Sequence, residues 1–168
     1  KRFVQKNKIE EAISLYKNLL KNDSTNLRVL NELAFLYDTN YQAELYYNKM
    51  LELDNTDATF YALGMYFQKK ELFEKAIKNY EKALSIRKDK ESYYSLGYCY
   101  LKMNLANKAI DSFSKAITID ASLVKAYFAR GYSYSILKKN KLAIEDYKFC
   151  LMLEPGHEAA RTHLEKLK

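Results

Sequence analysis

An internal repeat constrains this chain more than any other sequence feature. Five alanines stand 31, 33, 33 and 34 residues apart, each followed four residues later by an aromatic residue and eight residues later by leucine or isoleucine. Steps of four keep side chains on one face of a helix, so each copy predicts an amphipathic helix. The pairs are Ala12 and Tyr16, Ala43 and Tyr47, Ala76 and Tyr80, Ala109 and Phe113, and Ala143 and Tyr147.

A second helix is predicted before four of these helices. Gly64, Gly97 and Gly131 each lie twelve residues before a repeated alanine, and Ala34 lies nine residues before Ala43. Each of these small residues has a leucine or an aromatic residue four positions before it and an aromatic residue three positions after it, which is again the pattern of an amphipathic helix. We therefore expect helix-turn-helix units that stack into a solenoid.

The composition agrees with an all-α fold. The 168 residues are 48% hydrophobic, which is enough to bury a core, yet they include only one proline and four glycines. A hairpin-rich β fold would need more of these turn residues. The longest apolar runs, Leu33 to Tyr37 and Phe60 to Phe67, are far shorter than the roughly 20 residues that span a bilayer, so no transmembrane segment is expected.

The cysteines and the start of the chain bear on its location. Cys99 and Cys150 are too few for a disulfide framework or a metal cluster, and both occupy helix-packing positions. No apolar leader is visible at Lys1. We expect a cytoplasmic protein in a reducing, intracellular compartment.

One unit shows the motif of both helices in full. The residues are Tyr93, Leu96, Gly97 and Tyr100 in its first helix and Ala109, Phe113 and Ala116 in its second. They resemble the tetratricopeptide repeat (TPR), and Pro155 lies where that family places a proline at the end of a repeat. The resemblance covers nearly all of the chain. It implies a right-handed α-solenoid with a C-terminal capping helix.

The resemblance divides the chain into one array. The expected units are a partial repeat at 1–23, a shortened repeat at 24–54, full repeats at 55–88, 89–121 and 122–155, and the capping helix at 156–168.

Two departures from the motif lead to further expectations. Phe3 occupies the position of Tyr37 and Tyr100, so we expect the chain to begin inside a first helix and to be a fragment of a longer protein. The short spacing from Ala34 to Ala43 predicts that nearly one helical turn is missing around Asp38, Thr39 and Asn40, either as a tolerated short turn or as a change in superhelix curvature.

Catalysis is not predicted for this chain. Helix packing or the turn after Pro155 accounts for every glycine, so no phosphate-binding loop is expected. His157 and His163 are six residues apart, a spacing that does not place two metal ligands on one helix face. We expect no catalytic residue, no metal and no cofactor.

A stripe of large side chains is the candidate binding site. In TPR arrays the first helices line the concave surface, where peptide ligands usually bind, and the resemblance places the inward-pointing residues three before and one after the small residue. A large side chain left in water forgoes about 1.5–3 kcal/mol of burial, so a row of them predicts a surface for a partner. The residues are Asn31 and Phe35, Tyr61 and Met65, Tyr94 and Tyr98, and Phe128 and Tyr132.

Two interpretations of this stripe are open. The rings could pack edge to face on neighbouring first helices and tighten the solenoid, or they could form a groove for an extended or helical segment of a partner. We favour the groove, and thus a protein-interaction scaffold whose partner is a protein or peptide with apolar anchors.

A carboxylate clamp is the well-known alternative in this family, and it grips the acidic C-terminus of a heat-shock chaperone. Lys125 matches one clamp lysine and is counted among the candidate binding residues. Arg130 is one residue out of register for the clamp arginine. The remaining clamp positions hold Ala129, Ser95, Tyr61 and Met65.

The formal net charge of +7 allows two further hypotheses. Lysines at the groove edge would favour a partner that carries acidic residues. RNA binding is disfavoured because most lysines are expected on the outer helices, away from the stripe. Self-association into a homo-oligomer, through the stripe or through an uncapped end, is the other alternative. The groove-edge cations are Lys69, Lys102, Lys125 and Lys166.

Overall fold

The computed structural model describes residues 2–37 and 40–167, with side chains from residue 7 onward. This part of the chain forms ten α-helices. They are α1 (Arg2–Asn22), α2 (Leu27–Tyr37), α3 (Tyr41–Leu53), α4 (Asp57–Lys69), α5 (Phe73–Ile86), α6 (Lys90–Lys102), α7 (Ala106–Ile119), α8 (Val124–Ile136), α9 (Asn140–Leu153) and α10 (Glu158–Glu165).

Consecutive helices pair into four helix-turn-helix repeats. The pairs are α2 with α3, α4 with α5, α6 with α7, and α8 with α9, and each pair also packs on the next. We name the first helix of each pair the A helix and the second the B helix. α10 packs on α9, and its residues Ala160 and Leu164 are buried in a hydrophobic core shared with α8 and α9. These contacts confirm the predicted all-α solenoid with a capping helix.

The small residue of each A helix allows its B helix to approach closely. A Cβ atom added to Gly97 would lie 2.7 Å from the Phe113 ring, which is nearer than real Cβ contacts come, and the ring is fully buried. The glycine and the aromatic residue that recur in the sequence are therefore the two sides of one contact. The pairs are Gly64 with Tyr80, Gly97 with Phe113, and Gly131 with Tyr147.

The turns within the three full repeats share one backbone conformation. Glu71, Asn104 and Lys138 have φ angles of 59°, 60° and 55°. In each turn the N–H of the following residue donates a hydrogen bond of 2.9 Å to a carbonyl five residues earlier, as Leu72 does to Phe67. This is the Schellman ending of a helix, which favours glycine.

The B helix of the shortened repeat begins closer to its repeated alanine than the other B helices do. α3 begins two residues before Ala43, whereas α5, α7 and α9 each begin three residues before their repeated alanine. This difference accounts for one of the three residues by which the spacing from Ala34 to Ala43 is short. Asp38 and Thr39, where the missing turn was predicted, lie outside the described residues.

The N-terminal unit differs from the prediction. α1 is one continuous helix over Arg2–Asn22, so no turn separates Phe3 from Ala12, and Phe3 does not belong to a separate A helix. The side chain of Phe3 lies outside the described ones. α1 packs on α2 as a B helix packs on the next A helix.

Candidate partner-binding groove

The A helices of the three full repeats form one continuous surface. α4 contacts α6, and α6 contacts α8, whereas the described B helices make no comparable contact across repeats. The array is therefore closer-packed on the side of the A helices, as on the inner surface of a solenoid. All eight residues of the predicted stripe belong to A helices on this side.

The stripe separates into an inner and an outer row. The three aromatic residues of the inner row, each three residues before the small residue, pack on the B-helix ring of their own repeat. Centroid distances of 5.6 to 5.9 Å and tilted rings are typical of favourable aromatic pairs. The pairs are Tyr61 with Tyr80, Tyr94 with Phe113, and Phe128 with Tyr147.

The outer row, one residue after the small residue, faces the solvent. Phe35 is 70% exposed, Met65 is 50% exposed and Tyr132 is 38% exposed, while Tyr98 is half-buried. The outer row is therefore the more exposed part of the stripe, most of all at Phe35 and Met65.

A cavity of about 220 Å³ opens between α2 and α4. Aromatic and aliphatic side chains dominate its walls, so it suits an apolar group. The hydroxyl of Tyr66 donates to the backbone carbonyl of Asn40, which fixes one wall. The lining residues are Asn31, Ala34, Phe35, Tyr47, Tyr61, Ala62, Met65, Tyr66 and Lys69.

A second cavity, of about 350 Å³, follows between α4 and α6. It shares Met65 and Lys69 with the first, but its walls are more polar. Gln68, Glu71 and Phe73 were not among the predicted groove residues, because they lie beyond the two repeat positions used to find the stripe. The lining residues are Met65, Gln68, Lys69, Glu71, Phe73, Tyr98 and Lys102.

Lys125 is engaged within the protein. Its ammonium lies 2.6 Å from a carboxylate oxygen of Glu91 and 4.5 Å from the centre of the Tyr94 ring. Burial, and then the neighbouring Tyr98 and Glu91, raise the pKa of Tyr94. A ligand carboxylate at Lys125 would compete with Glu91 for the same ammonium.

Arg130 is likewise committed to a structural role. Its guanidinium donates to both carboxylate oxygens of the buried Asp146, at 2.9 and 2.7 Å, and to the Ser114 hydroxyl at 3.0 Å. The Asp146 carboxylate raises the pKa of Arg130 further. This network joins α7, α8 and α9, so Arg130 cannot serve as the arginine of a carboxylate clamp without losing it.

Two histidines cover the C-terminal end of the groove. The rings of His157 and His163 lie 4.9 and 5.7 Å from that of Phe128, and His163 also contacts Tyr132 at 5.5 Å. Burial, and then the charge of Lys166, lower the pKa of His163. These contacts were not predicted from the sequence, although His163 lies one repeat of 34 residues after Ala129, which is next to the stripe residue Phe128.

The remaining reactive groups offer no second site in the described part of the chain. Cys99 and Cys150 are fully buried, and burial raises the thiol pKa to about 12 and about 11. Among the described side chains, no group of histidine, cysteine and acidic residues could hold a metal ion. None of the described helices is long and apolar enough to cross a membrane.

Sequence comparison identifies the repeats. The model of the tetratricopeptide repeat family matches residues 58–90, 91–123 and 124–157, which together exceed half of the chain. These boundaries lie within about three residues of the predicted full repeats. No curated protein matches the chain with significant similarity.

Solved TPR structures share the fold. A crystal structure of MamA is 27% identical, with a TM-score of 0.80 over 92% of this chain and 93% of that one. The TPR domain of Arabidopsis OM64 is 26% identical, with a TM-score of 0.65 over 67% and 93% of the two chains.

The second TPR domain of human RPAP3, solved with an HSP70 peptide, is 28% identical, with a TM-score of 0.62 over 66% and 97% of the two chains. Repeat motif, helix packing and family match agree, and the chain belongs to the tetratricopeptide repeat family.

Proposed function

We propose that this protein is an interaction scaffold that binds a segment of a partner protein in the groove formed by its A helices. The TPR family and a peptide-bound relative support the general role of a protein-protein interaction module. The proposal for this chain is more specific, because it assigns the binding to apolar side chains and requires no covalent chemistry.

The observation that carries the proposal is the open cavity between α2 and α4. Phe35 and Met65 stand at its rim, exposed by 70% and 50%, above walls of aromatic side chains. A partner side chain that enters this cavity would bury its own apolar surface together with that of the rim, at about 25 cal/mol per Å². Tyrosine hydroxyls nearby can pair with the backbone of the bound segment.

Variants of the outer row test the proposal more cleanly than variants of the inner row. Replacing Tyr61 or Tyr94 would also remove a core contact with the B helix, so a loss of binding would be ambiguous. The double variant Phe35→Ser and Met65→Ser changes only exposed positions. Its matched control is Leu45→Ser and Met152→Ser, which lie on B helices and are exposed by 59% and 63%.

Peptides selected from a random displayed library against the unmodified protein serve as the probe. Fluorescence anisotropy should show binding to the control variant and at least about tenfold weaker binding to the groove variant, since hot-spot side chains typically contribute more than 1 kcal/mol each. Urea unfolding should give matching midpoints for both variants. Equal affinity for the two variants would show that the groove is not the binding surface.

Self-association is a second candidate, favoured by one face of α1. Leu19 is 44% exposed, whereas the corresponding residues of the other B helices, Met50, Ala83, Ala116 and Cys150, are buried beneath their own A helix. Leu15, one turn before, is 61% exposed. A second copy of the chain could cover this surface.

Sedimentation equilibrium over a wide concentration range tests self-association. Association that is lost in a Leu15→Glu and Leu19→Glu variant, but kept in Leu45→Glu, would support it. A monomer at every concentration would eliminate it and leave the groove proposal unaffected.

A further inference from the structure

The two cavities of the groove are adjacent but differ in chemistry. The α2/α4 cavity is walled mainly by apolar side chains. The α4/α6 cavity has two lysines, Lys69 and Lys102, and one acidic residue, Glu71, in its walls. Met65 and Lys69 line both, so a ligand that leaves the first cavity enters the second directly.

Lys102 is the cation best placed to receive a ligand. Its ammonium lies 5.4 Å from the centre of the Tyr98 ring at the groove surface. The ion pairs between described residues do not include Lys102, whereas Lys125 is held by Glu91. The whole chain carries a net charge of +7, which adds a long-range attraction for an acidic partner.

The distance between the cavities sets a spacing in the ligand. Axes of packed helices are about 8–10 Å apart, so neighbouring cavities between A helices repeat at a similar distance. A chain in the polyproline II conformation advances about 3.1 Å per residue, and its three residues per turn bring side chains three positions apart to the same face. A segment that crosses the A helices in this conformation therefore covers one repeat with about three residues and presents both side chains to the groove.

We propose that the bound segment adopts the polyproline II conformation and carries a large apolar residue and an acidic residue three positions apart. The apolar side chain enters the α2/α4 cavity, and the carboxylate meets Lys102 in the α4/α6 cavity. This inference rests on the proposed function and adds the chemistry of the partner. It differs from the carboxylate clamp because the acidic group is a side chain and no chain terminus is required.

Parallel selections from a random displayed peptide library test the pairing. Against the unmodified protein, the enriched peptides should contain aspartate or glutamate three positions from a leucine, methionine or phenylalanine. Against Lys102→Glu, the acidic preference should disappear and lysine or arginine should take its place. Against Lys148→Glu, an exposed position on the B helix α9, the original preference should persist.

A double-mutant cycle on one selected peptide measures the contact itself. Changing its acidic residue to the matching amide should weaken binding to the unmodified protein by about tenfold and have little effect on binding to Lys102→Glu. Additive losses would mean that the two groups do not interact and would overturn the inference.

The outcomes separate this inference from the proposed function. Peptides that need Phe35 and Met65 but show no acidic preference at that spacing would overturn only the inference. Peptides with a different spacing would do the same. A selection that yields no peptide dependent on Phe35 and Met65 would overturn the proposed function and this inference with it.

Discussion

At the scale of single residues, Gly97 has no room for a side chain. A methyl group there would lie 2.7 to 3.1 Å from three atoms of the Phe113 ring, which is fully buried and cannot move aside. We expect Gly97→Ala to lower the free energy of unfolding by about 1–3 kcal/mol, the usual cost of overpacking. Urea denaturation measures the loss.

Gly156→Ala is the control for this substitution. No atom lies within 4 Å of the added methyl, and the φ angle of Gly156 is not positive, so the change should stay within about 0.5 kcal/mol. A comparable loss at both positions would mean that the cost is not caused by contact with Phe113.

The pair formed by Arg130 and Asp146 gives a second prediction. Asp146→Leu leaves the guanidinium half-buried without its carboxylate and should cost about 3–5 kcal/mol in unfolding free energy. The double variant Arg130→Met and Asp146→Leu should recover most of the loss, because apolar packing can replace a buried ion pair. If the double variant is as unstable as the single one, the pair itself stabilises the fold.

At the scale of elements, the turns between A and B helices hold residues in an unfavourable conformation. Glu71 and Lys138 have positive φ angles, which cost a residue with a side chain roughly 1–2 kcal/mol and glycine almost nothing. Glu71→Gly and Lys138→Gly should each raise the unfolding free energy by about 1 kcal/mol. Asn104→Gly should gain less, because asparagine tolerates this region. Thermal or urea unfolding measures the change. If neither glycine variant is more stable than the unmodified protein, the positive φ angles at these positions do not cost stability.

The packing of α10 on α8 should depend on pH through His163. Burial against Phe128 and Tyr132 lowers its pKa, so the folded protein favours the neutral imidazole. This contribution to stability is present above the unfolded pKa of about 6.5 and is lost as the pH falls through the lower folded value.

Urea unfolding between about pH 7 and pH 5 tests this dependence. The unmodified protein should lose more stability on acidification than His163→Phe, which keeps a ring but has no charge to desolvate. If the unfolding free energies of the two proteins change with pH in parallel, His163 does not contribute to the pH dependence of stability.

At the scale of the whole molecule, the two cysteines report on different parts of the array. Both thiols are fully buried and have a raised pKa, so neither should react in the folded state. Cys99 lies in α6, with several described helices on either side of it, whereas α10 is the one described helix that follows the helix of Cys150. Terminal repeats of a solenoid open more readily than central ones.

We therefore expect a thiol reagent at neutral pH to label Cys150 faster than Cys99, as measured by peptide mass mapping over time. Equal labelling rates would indicate that the array opens as a single cooperative unit.

The sequence predicted most of this architecture because the packing contacts recur at fixed intervals. Gly97 and Phe113 could be identified as packing positions, since the small residue and the aromatic residue both recur in every full repeat. The depth of each side chain within the groove could not be predicted, because Tyr94 and Tyr98 share a face, yet the structure gives a ring pair with the B helix of that repeat for Tyr94. The hydrogen-bond network of Arg130 was not predicted either. Its partners lie 16 positions away in both directions, and this combination of residues does not recur in the other repeats.

The matching turns and the matching glycine contacts make the repeats exchangeable. Each full repeat presents the same kind of surface to its neighbours, so another copy of residues 90–123 could join the array without a new type of interface. Duplication of the coding segment for one repeat would lengthen the groove by one cavity. Partner choice in such a protein can therefore evolve by changes in length as well as by changes in single side chains.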